Sequence, residues 1–371
     1  MSQQSFADLG VSSPVVRTLK ERGVHTPFPI QELVVADVLD GRDVLAKSPT
    51  GSGKTLAFGV PLVDRIAPGA QRPAALVLAP TRELAGQIVD ELRALARARN
   101  LSVSAVYGGV GFEKQIRDAR RAHILVATPG RLEDLLQRRA FTLDHVRTLV
   151  LDEADRMLDM GFRPAVDRIV ANCPTDRQTL FFSATLDGEA GRIARAYTRD
   201  AVRHAHTPPQ TRRADIEHRF RAVERDDRLG ALVAELEAED RDLALTFVRT
   251  KRGADRLVRR LAGHGVDAVA MHGDKSQRQR EAALARFQAG TVDCLVATDV
   301  AARGLDVDGI SHVINFDPPA DREGYVHRVG RTGRAGRPGV GITFFGGEQV
   351  RDLEKIADQL RLKAEFRAAL S

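Results

Sequence analysis

Short apolar runs alternate with amphipathic helical patterns along the whole chain of 371 residues. In the first half most of these runs are apolar at successive positions, as in strands that are buried on both faces. They cover residues 43–48, 74–80, 103–109, 123–129, 148–153 and 179–185. Strands of this kind, separated by helices, predict a parallel sheet that is covered by helices on both of its faces.

A second series of apolar runs follows and repeats features of the first. It covers residues 243–250, 267–273, 294–299, 312–317 and 341–345. Four pairs of short stretches recur in the same order: VLAPTRELA with TFVRTKRGA, VYGG with MHGD, LVATPGR with LVATDVAARG, and LVLDEAD with VINFDPP. This order predicts an internal duplication, in which two α/β halves have a similar topology.

The join between the halves is expected near VRHAHTPPQTRR, a polar stretch with two adjacent prolines. We predict a first domain at 1–205, a linker at 206–213 and a second domain at 214–371. A fully extended stretch of this length reaches about 40 Å, so it would let two domains open and close. The alternative is an ordinary surface loop.

Composition narrows the class of protein only moderately. The chain is 43% hydrophobic and 29% charged, which is typical of globular proteins, and its net charge of +6 is compatible with a polyanionic partner. No apolar run is long enough for a bilayer, and the N-terminus lacks signal-peptide features, so we expect a cytoplasmic protein with no membrane association. Cys173 and Cys294 have no zinc or disulfide spacing, which predicts two reduced thiols.

The stretch SPTGSGKT, which begins at Ser48, follows the first predicted strand and opens a helix. Gly51 and Gly53 allow backbone N–H groups to point toward one anion, and the N-terminus of the helix adds partial positive charge. Lys54 supplies an ammonium group for the β and γ phosphates, and Thr55 supplies a hydroxyl for Mg²⁺. This pattern predicts a nucleoside triphosphate site, although Ser48 stands where the general motif has glycine.

The predicted strand TLVL runs directly into three carboxylates in four positions. Such a cluster needs a positive partner, and Mg²⁺ bound to the phosphates would supply it. Asp152 would hold the metal, and Glu153 would orient a water molecule and accept its proton. The matching strand of the second half ends in Asp317 without a second acid or a glycine-rich loop, which indicates one nucleotide per chain.

The stretch HRVGRTGRAGR is a cluster of arginines with no balancing acid. Arginines supplied to a triphosphate can stabilise the charge that develops during phosphoryl transfer. We expect Arg331 and Arg334 to have this role. His327 lies in the same cluster, and either a functional or a purely packed histidine is consistent with its position.

With these residues in place, the chain resembles a DEAD-box ATP-dependent RNA helicase of superfamily 2. The four letters of the name are Asp152, Glu153, Ala154 and Asp155. The family's other motifs follow in order: PTRELA (80–85), GG (108–109), TPGR (128–131), SAT (183–185), QRQR (277–280), VATDVAARGLD (296–306) and HRVGRTGR (327–334). The resemblance covers nearly the whole chain and implies two tandem RecA-like domains.

The resemblance also implies how ATP is bound. Gln31 would read the adenine edge, and Phe6 matches the upstream aromatic of the same motif, which spans 6–31. The family usually has an adenine-stacking aromatic where this chain has Val24. Asp306 would contact the ribose, and Arg303 would lie near the phosphates. The full nucleotide set implied is Phe6, Gln31, Ser48, Pro49, Thr50, Gly51, Ser52, Gly53, Lys54, Thr55, Arg303 and Asp306.

A further set of residues is implied to bind RNA or to link its binding to ATP hydrolysis. Asp155, Ser183, Thr185 and His327 would couple the two events. The RNA contacts implied are Pro80, Thr81, Arg82, Gly109, Thr128, Arg131, Arg249, Gly273, Gln277, Arg280, Thr298 and Asp299. Glycine, threonine and arginine suit phosphates and 2′-hydroxyls better than base edges, which predicts sequence-tolerant and salt-dependent binding.

The resemblance therefore implies an RNA-stimulated ATPase that uses ATP and Mg²⁺ and locally opens short RNA duplexes or remodels RNA–protein complexes. Its catalytic residues would be Lys54, Asp152, Glu153, Arg331 and Arg334. A monomer that binds single-stranded or short duplex RNA is the default expectation. Two alternatives stay open at this point: a nucleotide-gated RNA clamp that does not unwind productively, and a DNA translocase of the same superfamily.

Overall fold

The chain folds as two compact units, Met1–Thr207 and Pro208–Ser371. A computed structural model describes residues 4–48, 52–186, 188–206, 216–238, 242–302, 307, 309–333 and 337–370. Each unit is a parallel β-sheet with helices packed around it. The expected α/β fold class is confirmed.

The first unit contains a seven-stranded sheet. Its strands are β1 (Val44–Lys47), β2 (Ala75–Leu78), β3 (Val103–Val106), β4 (Ile124–Ala127), β5 (Thr148–Leu151), β6 (Gln178–Ser183) and β7 (Val202–Ala205). Their spatial order is β3-β4-β2-β5-β6-β1-β7, and neighbouring strands pair in parallel. Because all strands run the same way, the loops that follow them emerge at one edge of the sheet.

The helices of the first unit connect these strands and precede the first of them. They are α1 (Ser13–Glu21), α2 (Pro29–Leu39), α3 (Lys54–Arg65), α4 (Arg82–Ala98), α5 (Phe112–Arg121), α6 (Pro129–Gln137), α7 (Ala154–Asp159), α8 (Arg163–Ala171) and α9 (Gly188–Tyr197).

Two hydrophobic cores lie on opposite faces of this sheet. On β2, Ala75 and Val77 belong to one core, whereas Leu76 and Leu78 belong to the other. All four side chains are fully buried because helices cover both faces. This is why the strands read as continuous apolar runs in the sequence.

The second unit contains a six-stranded sheet with the order β10-β11-β9-β12-β13-β8, again with parallel pairing. Its strands are β8 (Ile216–Ala222), β9 (Leu243–Phe247), β10 (Ala268–Met271), β11 (Cys294–Ala297), β12 (Ile310–Asn315) and β13 (Gly339–Phe345). Its helices are α10 (Arg228–Leu236), α11 (Lys251–Ala262), α12 (Gln277–Gln288), α13 (Asp299–Ala302), α14 (Arg322–Val329), α15 (Val350–Leu360) and α16 (Lys363–Ala368).

The two sheets repeat one topology, in agreement with the predicted duplication. The order β3-β4-β2-β5 in the first corresponds to β10-β11-β9-β12 in the second. The repeat extends to the helix caps. Thr81 accepts a hydrogen bond from the N–H of Leu84 at the start of α4, and Thr250 accepts one from Gly253 at the start of α11. These threonines are the ones in the matched PTRELA and RTKRGA stretches.

Two strands were absent from the predicted series. Val202–Ala205 lies inside the stretch where the join was expected, yet it forms β7 and pairs with β1. Ile216–Ala222 forms β8 at the edge of the second sheet. Both contain several polar residues and are only partly buried, so neither produces a continuous apolar run.

Both cysteines are buried free thiols, as the sequence predicts. Burial raises the pKa of the Cys173 thiol to about 11. Cys294 is fully buried in β11, where its sulfur lies 3.2 Å from the hydroxyl oxygen of Thr246.

Candidate active site

Three loops with polar residues emerge side by side at the carboxyl edge of the first sheet. They follow β1, β5 and β6, which are neighbours in the strand order. The glycine-rich loop comes after β1, the acidic cluster after β5, and the SAT stretch at the end of β6. Ligands of open parallel sheets bind at this edge, because loops and helix N-termini converge there.

The glycine-rich loop begins next to β6, and a hydrogen bond joins its last part to its first residue. Gly53 has a φ of +84° and caps the N-terminus of α3, a backbone conformation that favours glycine. Lys54 is 6% exposed, and its ammonium group donates to the backbone oxygen of Ser48 at 3.2 Å. The N–H of Ser48 in turn donates to the oxygen of Ser183 at 3.0 Å.

The remaining members of the expected phosphate set are described in part. The hydroxyls of Ser48 and Ser52 are hydrogen-bonded to each other, and Thr55 is half-buried in the first turn of α3. Pro49, Thr50 and Gly51 lie outside the described residues.

Asp152 is a buried carboxyl group at the end of β5. It is 2% exposed and accepts a hydrogen bond from the N–H of Glu153 at 2.9 Å. Burial is the main reason why its pKa is raised to about 6, and the charge of Glu153 adds to this effect, whereas the positive charge of Lys54 opposes it. A cation bound beside Asp152 would therefore stabilise the ionised form further.

Glu153 is paired with a cation that the sequence analysis missed. Its carboxylate forms an ion pair with the guanidinium of Arg156, and both side chains are 8% exposed. Glu153 also has a φ of +49° and caps the N-terminus of α7, an uncommon backbone conformation for a non-glycine residue. The only signal in the sequence is the opposite charge three residues on, a spacing that places two side chains on one helix face.

Asp155 links the acidic cluster to the end of β6. Its Oδ2 accepts hydrogen bonds from the N–H groups of Ala184 at 3.0 Å and Thr185 at 3.1 Å. The Oγ of Ser183 accepts a further bond from the N–H of Thr185 at 3.2 Å. Since Ser183 also contacts Ser48, hydrogen bonds connect all three loops of this edge.

Of the residues expected at the adenine site, some lie at the glycine-rich loop and others lie at the hydrophobic core. Gln31 is 1% exposed; its Nε2 donates to the oxygen of Gly53 at 2.9 Å, and its Oε1 accepts from the N–H of Phe28 at 2.8 Å. Phe6 is buried in the first core, and Val24 packs against the same core. The structure thus places Gln31 next to the glycine-rich loop, while the side chain of Phe6 lies in the interior.

The expected RNA contacts of the first unit lie on the other half of the same edge. Pro80, Thr81 and Arg82 follow β2, Gly109 follows β3, and Thr128 and Arg131 follow β4.

A buried glutamine, also missed from the sequence, joins two of these loops. Gln115 donates to the oxygen of Tyr107 at 2.8 Å and accepts from Arg131 at 3.1 Å. The guanidinium of Arg131 lies 4.2 Å from the ring centre of Phe112. The side chain of Arg131 is therefore held by a hydrogen bond on one side and by an aromatic face on the other.

In the second unit the expected RNA contacts follow β9, β10 and β11. Arg249, Gly273 and Thr298 lie at these three strand ends, while Gln277 and Arg280 are buried in α12. Asp299 forms a two-point ion pair with Arg328, with distances of 2.6 and 2.7 Å. Asp299 thus holds a buried arginine in place, which is a structural contact that the resemblance did not indicate.

The arginine cluster is only partly described. Arg331 is 5% exposed, and its Nε donates to the backbone oxygen of His327 at 3.2 Å. His327 itself is exposed on α14. Arg303, Asp306 and Arg334 lie outside the described residues. The catalytic role of Arg331 stays a prediction.

Comparison with known proteins decides the family. Residues 28–193 match the DEAD/DEAH box helicase model, and residues 227–336 match the helicase conserved C-terminal domain. The chain is 40% identical over 367 residues to the ATP-dependent RNA helicase CshA of Limosilactobacillus reuteri, covering 96% of this chain and 72% of that protein. The chain belongs to the DEAD/DEAH box helicase family.

Two further proteins are similar to this chain over most of their length. The DEAD-box ATP-dependent RNA helicase CshA of Geobacillus kaustophilus is 40% identical, with 97% of this chain and 78% of that protein covered. Dbp5 of S. cerevisiae, in a structure bound to RNA and ADP BeF3, is 28% identical with a TM-score of 0.86, and the match covers 100% of both chains. Within the described ranges, no helix of this family member is both long and apolar enough to cross a membrane.

Proposed function

We propose that this chain is an ATP-dependent RNA helicase, which hydrolyses ATP when RNA binds and locally opens short duplexes or remodels RNA–protein complexes. The observation that carries the proposal is that Lys54 follows β1 while Asp152 and Glu153 follow β5, at the same edge of one sheet and on either side of β6. The names of the family relatives support the choice of ATP and RNA. A cytoplasmic location is also part of the proposal.

The residues present fit a magnesium ion. Asp152 is a buried carboxyl group with a raised pKa, and Thr55 carries a hydroxyl in the first turn of α3, the helix that follows the glycine-rich loop. One carboxylate and one hydroxyl suit Mg²⁺, which keeps several waters and takes phosphate oxygens as ligands. When bound, Mg²⁺ would neutralise charge on the phosphates.

Glu153 is proposed as the base that accepts the proton of the attacking water. The ion pair with Arg156 holds this carboxylate in a fixed position next to Asp152. Lys54 is proposed to bind the phosphates through its ammonium group. Asp155, through its hydrogen bonds to Ala184 and Thr185, is proposed to couple this chemistry to RNA binding.

RNA is proposed to bind along the carboxyl edges of both sheets. The residues at these edges offer hydroxyls, guanidiniums and backbone N–H groups, and base-reading amides are few among them. Such groups bind phosphates and 2′-hydroxyls, so affinity should be tolerant of sequence and should fall as salt rises.

The proposal is tested by replacing Glu153 with Gln and measuring ATP hydrolysis with and without RNA. Loss of the base should lower the RNA-stimulated rate by roughly 10²–10⁴-fold, the usual contribution of a positioned base, while ATP and RNA still bind. The control is Glu189→Gln, because Glu189 is an exposed glutamate in an ion pair of the same unit. An unchanged rate in the Glu153 variant would refute the assignment.

The nucleic acid is tested in the same assay. RNA should stimulate hydrolysis, and single-stranded DNA should not. Displacement of a short strand from an RNA duplex should require ATP. ATP hydrolysis without strand displacement would support a clamp instead of a helicase.

A further inference from the structure

Phe28 is an exposed aromatic residue in the glutamine motif. Its side chain is 58% exposed, and in the described part of the chain no other aromatic belongs to the set of exposed large hydrophobic residues. It caps the N-terminus of α2, directly before Pro29, which restricts the backbone there. A single exposed apolar side chain is common on protein surfaces, so its position decides whether it has a role.

The ring of Phe28 lies against the start of the phosphate-binding helix. A Cβ atom added to Gly53 would come within 2.6 Å of Cδ2 of Phe28 and within 2.6 Å of Nε2 of Gln31. Gln31 holds the two segments together, because its amide bonds both the oxygen of Gly53 and the N–H of Phe28. Phe28 is therefore fixed beside the glycine that precedes Lys54.

The two positions where the resemblance placed aromatic contacts cannot offer an aromatic face here. Phe6 is 2% exposed and lies inside the first hydrophobic core. Val24 has no ring, and it packs partly buried against the same core. An adenine base near Gln31 would find a free aromatic face among these three residues only at Phe28.

We propose that Phe28 supplies the aromatic face on which the adenine of ATP stacks. This inference rests on the proposed function, and it names a base-binding residue for the same site. The flat ring would contact the face of the base, while Gln31 would contact its edge. Stacking of a base on an aromatic side chain is tolerant of base identity, because every base has a π-face. Phe28 would therefore add affinity, and Gln31 would add selectivity.

The test compares ligands with and without the base, using the whole chain of 371 residues. Dissociation constants for ADP and for tripolyphosphate are measured for the wild type, Phe28→Ala and Phe28→Tyr. The Ala variant should bind ADP on the order of tenfold more weakly, in the range of base–aromatic stacking, with unchanged affinity for tripolyphosphate. The Tyr variant should restore ADP binding.

Leu33 provides a matched control. It is a second exposed apolar residue on the same helix, 41% exposed, two positions after Gln31. Leu33→Ala should leave the affinities for both ligands unchanged. Thermal unfolding of each variant is measured in parallel, so that a loss of fold is distinguished from a loss of binding.

Two results would overturn the inference. One is wild-type affinity for ADP in Phe28→Ala. The other is an equal loss of ADP and tripolyphosphate affinity, which would show that Phe28 acts by holding the loop instead of by binding the base. Absence of RNA-stimulated ATP hydrolysis in the wild type would refute the proposed function itself, and it is measured separately.

Discussion

Asp152 shows how one buried residue makes the site sensitive to pH. Its pKa in the folded chain is about 6, whereas the ordinary value is 3.8. Between these two values the folded protein keeps a proton that the unfolded chain has released. This retained proton contributes to the free energy of unfolding. The contribution is fully present below about pH 4 and is lost as pH rises through 6.

We therefore expect Asp152→Asn to gain stability relative to the wild type as pH rises from 4 to about 7. The gain should reach about 2–3 kcal/mol, from the size of the pKa shift, and then level off. It is measured by urea unfolding of the ligand-free protein across this pH range. Asp176→Asn is the control, because the Asp176 side chain is 70% exposed. Parallel curves for all three proteins would contradict the prediction.

The residues that form this site could be recognised in the sequence only where they belong to a motif. Lys54, Asp152 and Asp155 stand in motifs whose spacing has a chemical reason. Arg156 was missed because an opposite charge three residues away is also common on solvent-exposed helices, and only the burial of both partners distinguishes this pair. Gln115 was missed because nothing in the sequence indicates that a single glutamine in a helix rich in basic residues is buried.

At the scale of elements, the central strands and the edge strands β3 and β10 were predictable, whereas the edge strands β7 and β8 were not. Central strands such as β5 need apolar residues on both faces, so the sequence shows them plainly. Strand β7 reads VRHA and β8 reads IEHRFRA, because an edge strand has one side free of a neighbour and tolerates charge.

The repeated threonine caps give a prediction for one helix. Thr250→Ala removes the side-chain acceptor at the start of α11 and should destabilise the second unit by about 1 kcal/mol, whereas Thr250→Ser should keep the bond and most of the stability. Chemical denaturation followed by circular dichroism measures the difference. Equal stability of the Ala and Ser variants would show that the cap contributes nothing.

For the whole molecule, the proposed RNA contacts occur in both units, while the acidic cluster and Lys54, which is proposed to bind phosphate, belong to the first. If ATP and RNA both favour one arrangement of the chain, each must raise the affinity for the other by the same factor.

We expect a non-hydrolysable ATP analogue with Mg²⁺ to strengthen the binding of a short RNA about 5–150-fold, the usual range of such coupling. RNA should strengthen binding of the analogue equally. Fluorescence anisotropy of labelled RNA, and titration of the analogue with and without RNA, measure the two factors. An RNA affinity that is the same with and without the ATP analogue would contradict this prediction. Single-stranded DNA serves as the control ligand.

The two native thiols have a practical consequence for such measurements. Cys173 and Cys294 are buried, and with a pKa of about 11 the first is ionised in only about one molecule in ten thousand at neutral pH. Maleimide dyes react with thiolates at the surface and will therefore leave the native chain unmarked. A pair of cysteines introduced at exposed positions, one per unit, can carry a donor and an acceptor fluorophore on an otherwise unaltered protein, so that energy transfer reports its movements one molecule at a time.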